Sequence, residues 1–482
     1  MSYNSEDYFL SNDFKAILRK FESAGDDEAF AVLDTDELVD VAEYYYNNGK
    51  ADKSEYVIEK TLAMYPGSTA PLLFKARLAL MEGKDVGTAE YYAEQIEDKS
   101  DPEYFYMKAE IMLARNDADA ADAYLEEKFG EADDDDKDYF AVDSAALFID
   151  YNAVGKAEKW LRRSADKESV DYKEQAARIF MEKGDYENSK KLFNELIDHD
   201  PFSTQYWNLL ASSQFFSNNI EDSIQSSEYS IAINPQNTAA LLNKANGLYN
   251  LGNYGEALKY YLRYNSLCPD DENGEMLVGF CYMLLEDYGN AITHLKKAEE
   301  LSAPQSPALV DVYKDMAFAY CRLGRIDECM AVLDKADAIS GDHDELLVYR
   351  GNMLLGSGRL EEAKKYFMQA IRSSGYSPAI FMKIAITIFE SGNPELAYKM
   401  FRTLYANYPD WTEGYAHYAA CCYDLGKTDE FPDALKQAAA CSPQETKMLL
   451  GKLFPDGMEP KDYYDYIVRN NRGKQPPVCD ER

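Results

Sequence analysis

The sequence predicts an all-α fold, a solenoid of about twelve helical hairpins, and a repeated turn is the first observation that predicts it. Seven of the eleven spacings between successive turns are 34 residues. A fixed period of this length is typical of arrays in which each unit packs only on its neighbours. The turn residues are Gly49, Gly83, Asn116, Asn152, Gly184, Asn218, Gly252, Glu286, Gly324, Gly358, Gly392 and Gly426.

A small residue on each side of the turn is the second observation. Five residues after the turn most copies have Ser, Ala or Cys, and Phe431 in the last copy is the clear exception. Small side chains at two such points allow two antiparallel helices to approach closely, so each unit is predicted to be a helical hairpin. Seven residues before the turn every copy has Ala or Gly: Ala42, Ala76, Ala109, Ala145, Ala177, Ala211, Ala245, Gly279, Ala317, Gly351, Ala385 and Ala419.

Apolar spacing and proline complete the pattern of each unit. In the copy from Ala239 to Pro269, the first helix carries Leu241, Ala245 and Leu248 at i, i+4 and i+7, as one buried face requires. Proline cannot continue a helix, and it ends many units seventeen residues after the turn. These prolines are Pro66, Pro201, Pro235, Pro269, Pro409 and Pro443.

Together, the 34-residue period, the two small positions, the turn glycine and the closing proline resemble the tetratricopeptide repeat. The resemblance covers roughly Asp36 to Pro443, and Trp207 falls where the family often has Trp. It implies a right-handed α-solenoid, of the multi-repeat type found in the bacterial cytoplasm, in which the first helix of each hairpin lines a binding groove.

Three segments are expected along the chain: an N-terminal capping segment (1–34), the solenoid (35–443, irregular in 70–170) and a C-terminal segment (444–482). Terminal repeats need caps because they otherwise expose an apolar face to water. The predicted cap residues are Phe14, Ile17, Leu18 and Phe21 at one end and Met448, Leu449 and Leu453 at the other. A tyrosine-rich stretch and a mobile polar tail, Asn470 to Arg482, are expected after the second cap.

The charge of the chain excludes some partners. Fifty Lys and Arg residues against eighty-six Asp and Glu residues leave a net charge of −36, which repels nucleic acid and anionic membranes and favours basic protein partners. We expect a cytoplasmic protein, because neither a secretory signal nor a membrane-spanning stretch is written in the sequence. The eight cysteines, all from Cys268 onward and without a C-x-x-C pair, are expected to be free thiols.

No catalytic or cofactor-binding pattern is present, so we expect no enzyme activity, no metal and no cofactor. The four histidines lack the i, i+4 spacing of a metal site and are interpreted as surface residues. The acidic run from Glu131 to Asp138 lacks the glycine and terminal glutamate of a calcium loop and is interpreted as a solvated loop. Adjacent Cys421 and Cys422 are interpreted as core thiols.

A peptide-binding groove is the functional site that the family resemblance implies. Its residues follow from the positions of the first helix that line the groove in tetratricopeptide repeats. Amides there would pair with the backbone of an extended peptide, and aromatic and Met side chains would supply apolar anchors. The predicted groove residues are Asn208, Ser212, Phe215, Asn246, Tyr249, Phe280, Met283, Phe318, Arg322, Asn352 and Phe389.

The sequence therefore predicts a non-catalytic scaffold or adaptor that binds peptide or protein segments in this groove. Two alternatives stay open. One is a regulatory solenoid that responds to a bound peptide. The other is a self-associating structural protein that docks through the ends of the solenoid or through the stretch Tyr463 to Tyr466.

Overall fold

The computed structural model describes residues 8–9, 11–23, 30–81, 83 and 86–470, and every regular element within these residues is a helix. Residues 471–482 of the predicted tail lie outside this range. Twelve helical hairpins follow one another, and in each hairpin the two helices pack against each other. The predicted all-α solenoid of about twelve hairpins is confirmed.

Each hairpin consists of a helix A and a helix B, and one helix precedes the first hairpin: α1 (Asn12–Ser23). Hairpins 1 to 4 are α2 (Thr35–Asn47) with α3 (Ala51–Met64), α4 (Thr69–Met81) with α5 (Val86–Glu94), α6 (Pro102–Ala114) with α7 (Ala118–Glu131), and α8 (Lys137–Asp150) with α9 (Val154–Leu161). Hairpins 5 to 8 are α10 (Val170–Glu182) with α11 (Tyr186–His199), α12 (Thr204–Phe216) with α13 (Ile220–Ile233), α14 (Thr238–Asn250) with α15 (Tyr254–Leu267), and α16 (Glu272–Leu284) with α17 (Tyr288–Leu301).

The last four hairpins, 9 to 12, are α18 (Ala308–Arg322) with α19 (Ile326–Ile339), α20 (His343–Gly356) with α21 (Leu360–Ser373), α22 (Pro378–Glu390) with α23 (Pro394–Asn407), and α24 (Tyr415–Asp424) with α25 (Phe431–Cys441). They are followed by α26 (Pro443–Leu450), two short 3₁₀ turns (Gly451–Leu453 and Pro460–Asp462) and α27 (Tyr463–Asn470). The chain before α2 and after α25 therefore adds helices to both ends of the array.

The turns between helix A and helix B have one backbone conformation. All twelve predicted turn residues have a positive φ, between 56° at Asn152 and 79° at Gly392. The N–H of the following residue donates to the carbonyl five residues back, as from Asn253 to Leu248 (2.9 Å), which caps the end of helix A. Glycine adopts this conformation without strain, and this explains why Gly dominates the turn position.

The small residues lie where the two helices of a hairpin come closest. Every predicted alanine seven residues before the turn is fully buried. At Gly351 the approach is closer still, because a Cβ atom built there would lie 2.2 Å from Cε1 of Phe367 in helix B. The helices meet at this position, and this explains why the chain keeps Ala or Gly there throughout.

The residues expected to form the caps lie on the terminal hairpins, except Met448. Phe14 of α1 is buried, and Ile17, Leu18 and Phe21 pack on the core of hairpin 1; similarly, Leu449 and Leu453 pack on the core of hairpin 12. Met448 is instead 76% exposed. The reason is helical spacing: Thr446 and Leu450, at i and i+4, form the buried face of α26, and Met448 lies on the opposite side.

By its internal contacts the chain forms two compact units. Unit 1 is Met1–Leu267 with hairpins 1 to 7, and unit 2 is Cys268–Arg482 with hairpins 8 to 12. Each unit has a series of apolar clusters built from neighbouring hairpins, as a repeat array requires. The acidic run between hairpins 3 and 4 is exposed at residues 133–136, as expected of a solvated loop.

Candidate functional site

In hairpins 6 and 7 of unit 1, two of the predicted groove residues connect neighbouring helices A. Nδ2 of Asn208 donates to Oδ1 of Asn237, at the start of α14, over 2.9 Å. The amide of Asn243 donates to Oγ of Ser212 over 3.3 Å. Asn208 and Ser212 are both half-buried. Their hydrogen bonds therefore connect adjacent hairpins.

Two further predicted residues, Asn246 and Tyr249, contact their own hairpin. Oδ1 of Asn246 accepts a hydrogen bond of 2.6 Å from the buried Tyr261 of helix B. The ring of Tyr249 lies edge-on to Tyr254, with 5.3 Å between the ring centroids. The half-buried Phe215 packs edge-on to its exposed neighbour in α12, Phe216.

In unit 2, the structure brings the predicted residues Phe318 and Arg322 together. The Arg322 guanidinium lies 6.0 Å from the Phe318 ring and 5.5 Å from that of Tyr288, which the sequence analysis missed. Phe318 is 37% exposed, so an aromatic and cationic surface faces solvent here. The two predicted residues of the preceding helix A, Phe280 and Met283, are half-buried against the core.

The last two predicted residues, Asn352 and Phe389, are half-buried on α20 and α22. Phe389 packs edge-on to the His417 ring, with 5.7 Å between the centroids. His417 is buried in α24, so its interpretation as a surface residue is wrong. Periodicity explains this: His417 lies nine residues before its turn, on the side of helix A that faces α22 and α26.

A row of acidic residues on helices A of hairpins 3 to 5 was missed by the sequence analysis. We call it the acidic row, and it consists of Glu103, Glu110, Asp143 and Glu174. All four side chains are half-buried. Three consecutive helices A therefore present carboxylates on one side of unit 1.

Arg77 provides the ion pairs of the acidic row. Its guanidinium lies 3.4 Å from Glu103 and 3.5 Å from Glu110. The hydroxyl of Tyr151 also donates to Oε1 of Glu110 over 3.4 Å. Arg77 belongs to hairpin 2, and its two partners belong to hairpin 3, so one arginine connects these neighbouring helices A.

The other half of the row has neutral donors. The Tyr206 hydroxyl donates to Oε2 of Glu174 over 3.2 Å, and the Gln205 amide donates to its Oε1 over 3.0 Å. Asp143 accepts a hydrogen bond from Tyr106. Within the described part of the chain, no ion pair joins Asp143 or Glu174 to a Lys or Arg. Two of the four carboxylates therefore have no ion pair within the described residues, although the charge of Arg178 acts on Glu174.

Burial raises the pKa of all four carboxyls of the acidic row above the usual value. The Arg77 guanidinium opposes this increase at Glu103 and Glu110. A hydrogen bond from Tyr106 opposes it at Asp143, a hydrogen bond from Tyr206 and the charge of Arg178 oppose it at Glu174, and the charge of Asp171 adds to it at both. A raised pKa means that the ionised form is poorly solvated. A cation placed on this face would stabilise that form.

Repeat position was a signal for one member of the acidic row and for its partner. Ser212, Asn246, Phe280, Phe318 and Asn352 all lie six residues before their turns. The same position in hairpins 1, 2, 3 and 5 holds Glu43, Arg77, Glu110 and Arg178, and in hairpin 4 it holds Ala146. Carrying the position into the earlier hairpins therefore leads to Arg77 and Glu110, whereas Glu103, Asp143 and Glu174 lie at other positions of helix A.

Metal-ligating side chains, cysteine thiols and apolar helices are the remaining features of the described residues. They contain no group of three His, Cys, Asp or Glu side chains placed to hold a metal ion. Burial raises the pKa of the Cys281, Cys329, Cys421 and Cys422 thiols to about 12, which makes them poor nucleophiles. Within the described ranges, no helix combines the length and the apolar composition needed to cross a bilayer.

Two curated relatives match part of the chain. Human protein O-mannosyl-transferase TMTC3 is 25% identical over 180 residues, which are 35% of this chain and 20% of that protein. The mouse protein of the same name is 24% identical over 171 residues, 33% of this chain and 19% of its own length. The chain thus spans about a fifth of the length of these relatives.

Solved structures of repeat proteins also match, over part of the chain. A tetratricopeptide repeat protein from Parabacteroides merdae has a TM-score of 0.40 and 16% identity, and covers 49% of this chain and 92% of its own. The MamA protein has a TM-score of 0.33 and 16% identity, and covers 35% of this chain and 91% of its own.

The tetratricopeptide repeat family model matches residues 170–202, 238–271 and 345–375. These ranges coincide with hairpins 5, 7 and 10. The remaining hairpins share the positive φ at the turn and the buried small residue with these three. The three matched hairpins identify this chain as a protein that contains tetratricopeptide repeats.

Proposed function

We propose that this protein is a non-catalytic scaffold whose acidic row binds a basic segment of a partner protein. Tetratricopeptide repeats support a role in protein interaction generally. The observation that carries the finer proposal is a group of four half-buried carboxylates on three consecutive helices A, of which only Glu103 and Glu110 form an ion pair within the described residues. Lys or Arg side chains of a partner would supply the missing positive charge.

Hydrogen-bonding groups beside the row suit an extended segment. Gln205 and Tyr206 contact Glu174, and Tyr151 contacts Glu110, so amide and hydroxyl groups lie next to the carboxylates. A peptide with alternating basic side chains could pair its cations with the row and its backbone with these groups. We also propose that the predicted groove residues contact a partner segment. Those of hairpins 6 and 7 do so within unit 1, and those of hairpins 8 to 11 within unit 2.

The other expectations about this protein stay proposals. These are the division into caps and solenoid at residues 34 and 443, a cytoplasmic location and the regulatory alternative. The seven cysteines in the described ranges are free thiols, which suits a reducing compartment. Self-association through the tyrosine-rich stretch is less favoured, because Tyr463 is buried and stacks on Phe454.

Fluorescence anisotropy with two defined peptides tests the acidic row. One labelled twelve-residue peptide alternates Lys and Ser, and the other alternates Glu and Ser. We expect only the basic peptide to bind, and we expect binding to weaken as NaCl rises from 50 to 500 mM. Failure of the basic peptide to bind at 50 mM NaCl would contradict the proposal.

Two double variants distinguish the contribution of the acidic row to binding from that of the net charge. Asp143→Asn with Glu174→Gln removes two charges from the row, and Asp134→Asn with Asp135→Asn removes two from the exposed loop. We expect the first pair to weaken binding about tenfold and the second to change it less than about twofold. If both double variants weaken binding equally, the affinity depends on the overall charge of the protein and not on the acidic row.

The raised pKa values of the acidic row predict how the affinity for the basic peptide changes with pH. Burial holds the pKa of Glu103, Glu110, Asp143 and Glu174 above the usual value, and a bound cation favours their ionised form. Binding should therefore release protons, and the affinity for the basic peptide should rise between pH 5 and pH 8. Anisotropy titrations across that range measure it, and a falling affinity would contradict the role of the row.

A further inference from the structure

A small cleft lies between hairpins 1 and 2 of unit 1, apart from the acidic row. Its volume is about 160 Å³. The helices α3, α4 and α5 each contribute two residues at i and i+4, so three helix faces converge on it. These residues are Ser54 and Ile58, Phe74 and Leu78, and Thr88 and Tyr92.

The cleft lies in the irregular part of the array. Helix α5 has nine residues, whereas α3 has fourteen, and α5 lies in the stretch where the sequence departs from the regular repeat. Helix α5 packs on α4 and on α6. The lining of the cleft therefore comes from α3 of hairpin 1 and from the packed pair α4 and α5 of hairpin 2.

Size limits the occupant of the cleft to one ring. An engineered protein cavity of about 150 Å³ binds benzene, whereas sites for metabolites usually measure about 300–1,000 Å³. The walls at Ile58, Phe74 and Leu78 are apolar and suit such a ring. The cleft is too small for a typical cofactor and matches a single side chain of a partner.

Ser54 favours a ligand that carries a polar group. Its side chain is 1% exposed, and its hydroxyl makes no hydrogen bond within the described residues. A buried hydroxyl without a partner is destabilising, so a ligand that carries its own hydroxyl is favoured over a purely apolar one. A phenol ring combines both properties.

Two charged residues line the cleft, Lys75 and the exposed Glu55, and they disfavour an anionic ligand. Lys75, which lines the cleft, is paired with Glu59 of α3, and its Nζ lies 5.1 Å from the centroid of the Tyr92 ring. Its positive charge is therefore already compensated. A neutral ring fits this wall better than a carboxylate or a phosphate.

We propose that this cleft binds a tyrosine side chain of a partner protein, with the ring against Ile58, Phe74 and Leu78 and the phenol hydroxyl hydrogen-bonded to Ser54. A tyrosine of a protein segment is favoured over a free phenol, because a single-ring site is small for a metabolite and typical of an anchor side chain. This surface is independent of the acidic row, since it uses different residues and a neutral ligand.

Two fragments test the cleft on the full chain. We expect p-cresol, the side chain of tyrosine, to bind about fivefold more tightly than toluene, because one hydrogen bond contributes about that factor. Calorimetric titration or ligand-observed NMR measures both affinities. Equal affinities, or no binding of p-cresol at 10 mM, would overturn the proposal.

Three variants identify the site. Ser54→Ala should abolish the preference for p-cresol. Ala51→Leu, at an exposed residue that lines the cleft, should weaken both fragments, and Ala63→Leu, on the same helix outside the cleft, should weaken neither. Binding that Ala51→Leu leaves unchanged would place the fragments elsewhere and overturn the proposal, even if Ser54→Ala proved unfolded by circular dichroism.

A pair of tripeptides distinguishes a protein segment from a free phenol. N-acetylated and C-amidated Gly-Tyr-Gly should compete with p-cresol, and the corresponding Gly-Phe-Gly peptide should compete less well. If p-cresol binds and Gly-Tyr-Gly does not, the site accepts only a free phenol, and the assignment to a protein partner is wrong. Because these probes are neutral, the outcome does not depend on the basic peptides that test the acidic row.

Discussion

At the scale of single residues, one position of helix A sets how closely the two helices of a hairpin approach. Most hairpins have a buried alanine there, and Gly351 has no side chain at all. The ring of Phe367 occupies the space in which a Cβ atom of residue 351 would lie. A large side chain in helix B thus compensates for a missing one in helix A.

Gly351→Ala is therefore expected to destabilise unit 2. Overpacking of this kind costs about 1–3 kcal/mol, although alanine has the higher helix propensity. Gly356→Ala on the same helix is the control, because nothing lies within 4 Å of a Cβ atom there. Urea unfolding followed by circular dichroism measures both, and a loss of stability in the control alone would contradict the packing argument.

His417 is the residue whose burial is expected to make unit 2 sensitive to acid. Burial lowers its pKa, and the charges of Glu445 on α26 and Glu390 on α22 oppose that effect. Its Nδ1 lies 3.3 Å from Oε1 of Glu445, in a geometry that does not form a hydrogen bond. The folded protein therefore holds His417 in the neutral form.

The sign of the pH effect follows from this lowered pKa. The unfolded chain takes up a proton near pH 6.5 and the folded chain only at lower pH, so stability falls as pH drops through that range. We expect His417→Gln to reduce the loss of thermal stability between pH 7.5 and pH 5.5. If the variant and the natural protein lose stability equally, His417 is not the group responsible.

At the scale of elements, a buried carboxylate joins helices B of hairpins 3 and 4. Asp122 on α7 accepts hydrogen bonds from Lys159 (2.7 Å), from Trp160 Nε1 (2.9 Å) and from Lys156 (2.9 Å). Burial opposes its ionisation, but these donors prevail and hold its pKa below the usual value. The network connects two hairpins in the irregular part of the array.

Asp122→Ala is expected to destabilise unit 1 by about 2 kcal/mol, because the buried Trp160 N–H loses its acceptor. Asp119→Ala removes the exposed partner of Lys156 and should cost less than about 0.5 kcal/mol. Thermal unfolding at pH 7 compares the two variants. A similar cost for both would mean that the buried hydrogen bonds contribute nothing beyond a surface ion pair.

At the scale of the whole molecule, the ends of the array need the helices that cover them. Leu450, Phe454 and Tyr463 are buried after the last hairpin, and Phe454 and Tyr463 stack with 3.7 Å between their centroids. A chain that ends at residue 442 loses all three, and a chain that ends at residue 470 keeps them.

Truncation at residue 442 should therefore destabilise unit 2 by about 5 kcal/mol, since each large apolar side chain contributes about 1.5–3 kcal/mol when buried. Truncation at residue 470 should leave its stability unchanged. Thermal unfolding measures stability, and light scattering detects association of the exposed end. Equal unfolding temperatures for both truncations would show that the last helices do not act as a cap.

The sequence by itself determined the features that depend on one hairpin. The repeated Gly or Asn turn and the small residue seven positions before it located all twelve turns, and the positive φ values and the buried alanines agree with them. These features depend on local geometry: helix periodicity, a left-handed turn residue and a close approach of two adjacent helices. Such rules act over a few residues, so a single sequence reveals them.

Only the tertiary structure decided which side chains meet across different hairpins. It placed Arg77 between Glu103 and Glu110, buried His417 beside Phe389, and placed the buried Ser54 in the lining of a cleft between hairpins 1 and 2. Residues about thirty positions apart meet only after neighbouring hairpins have packed. Small differences in helix length and position, which periodicity does not encode, then select the contacts.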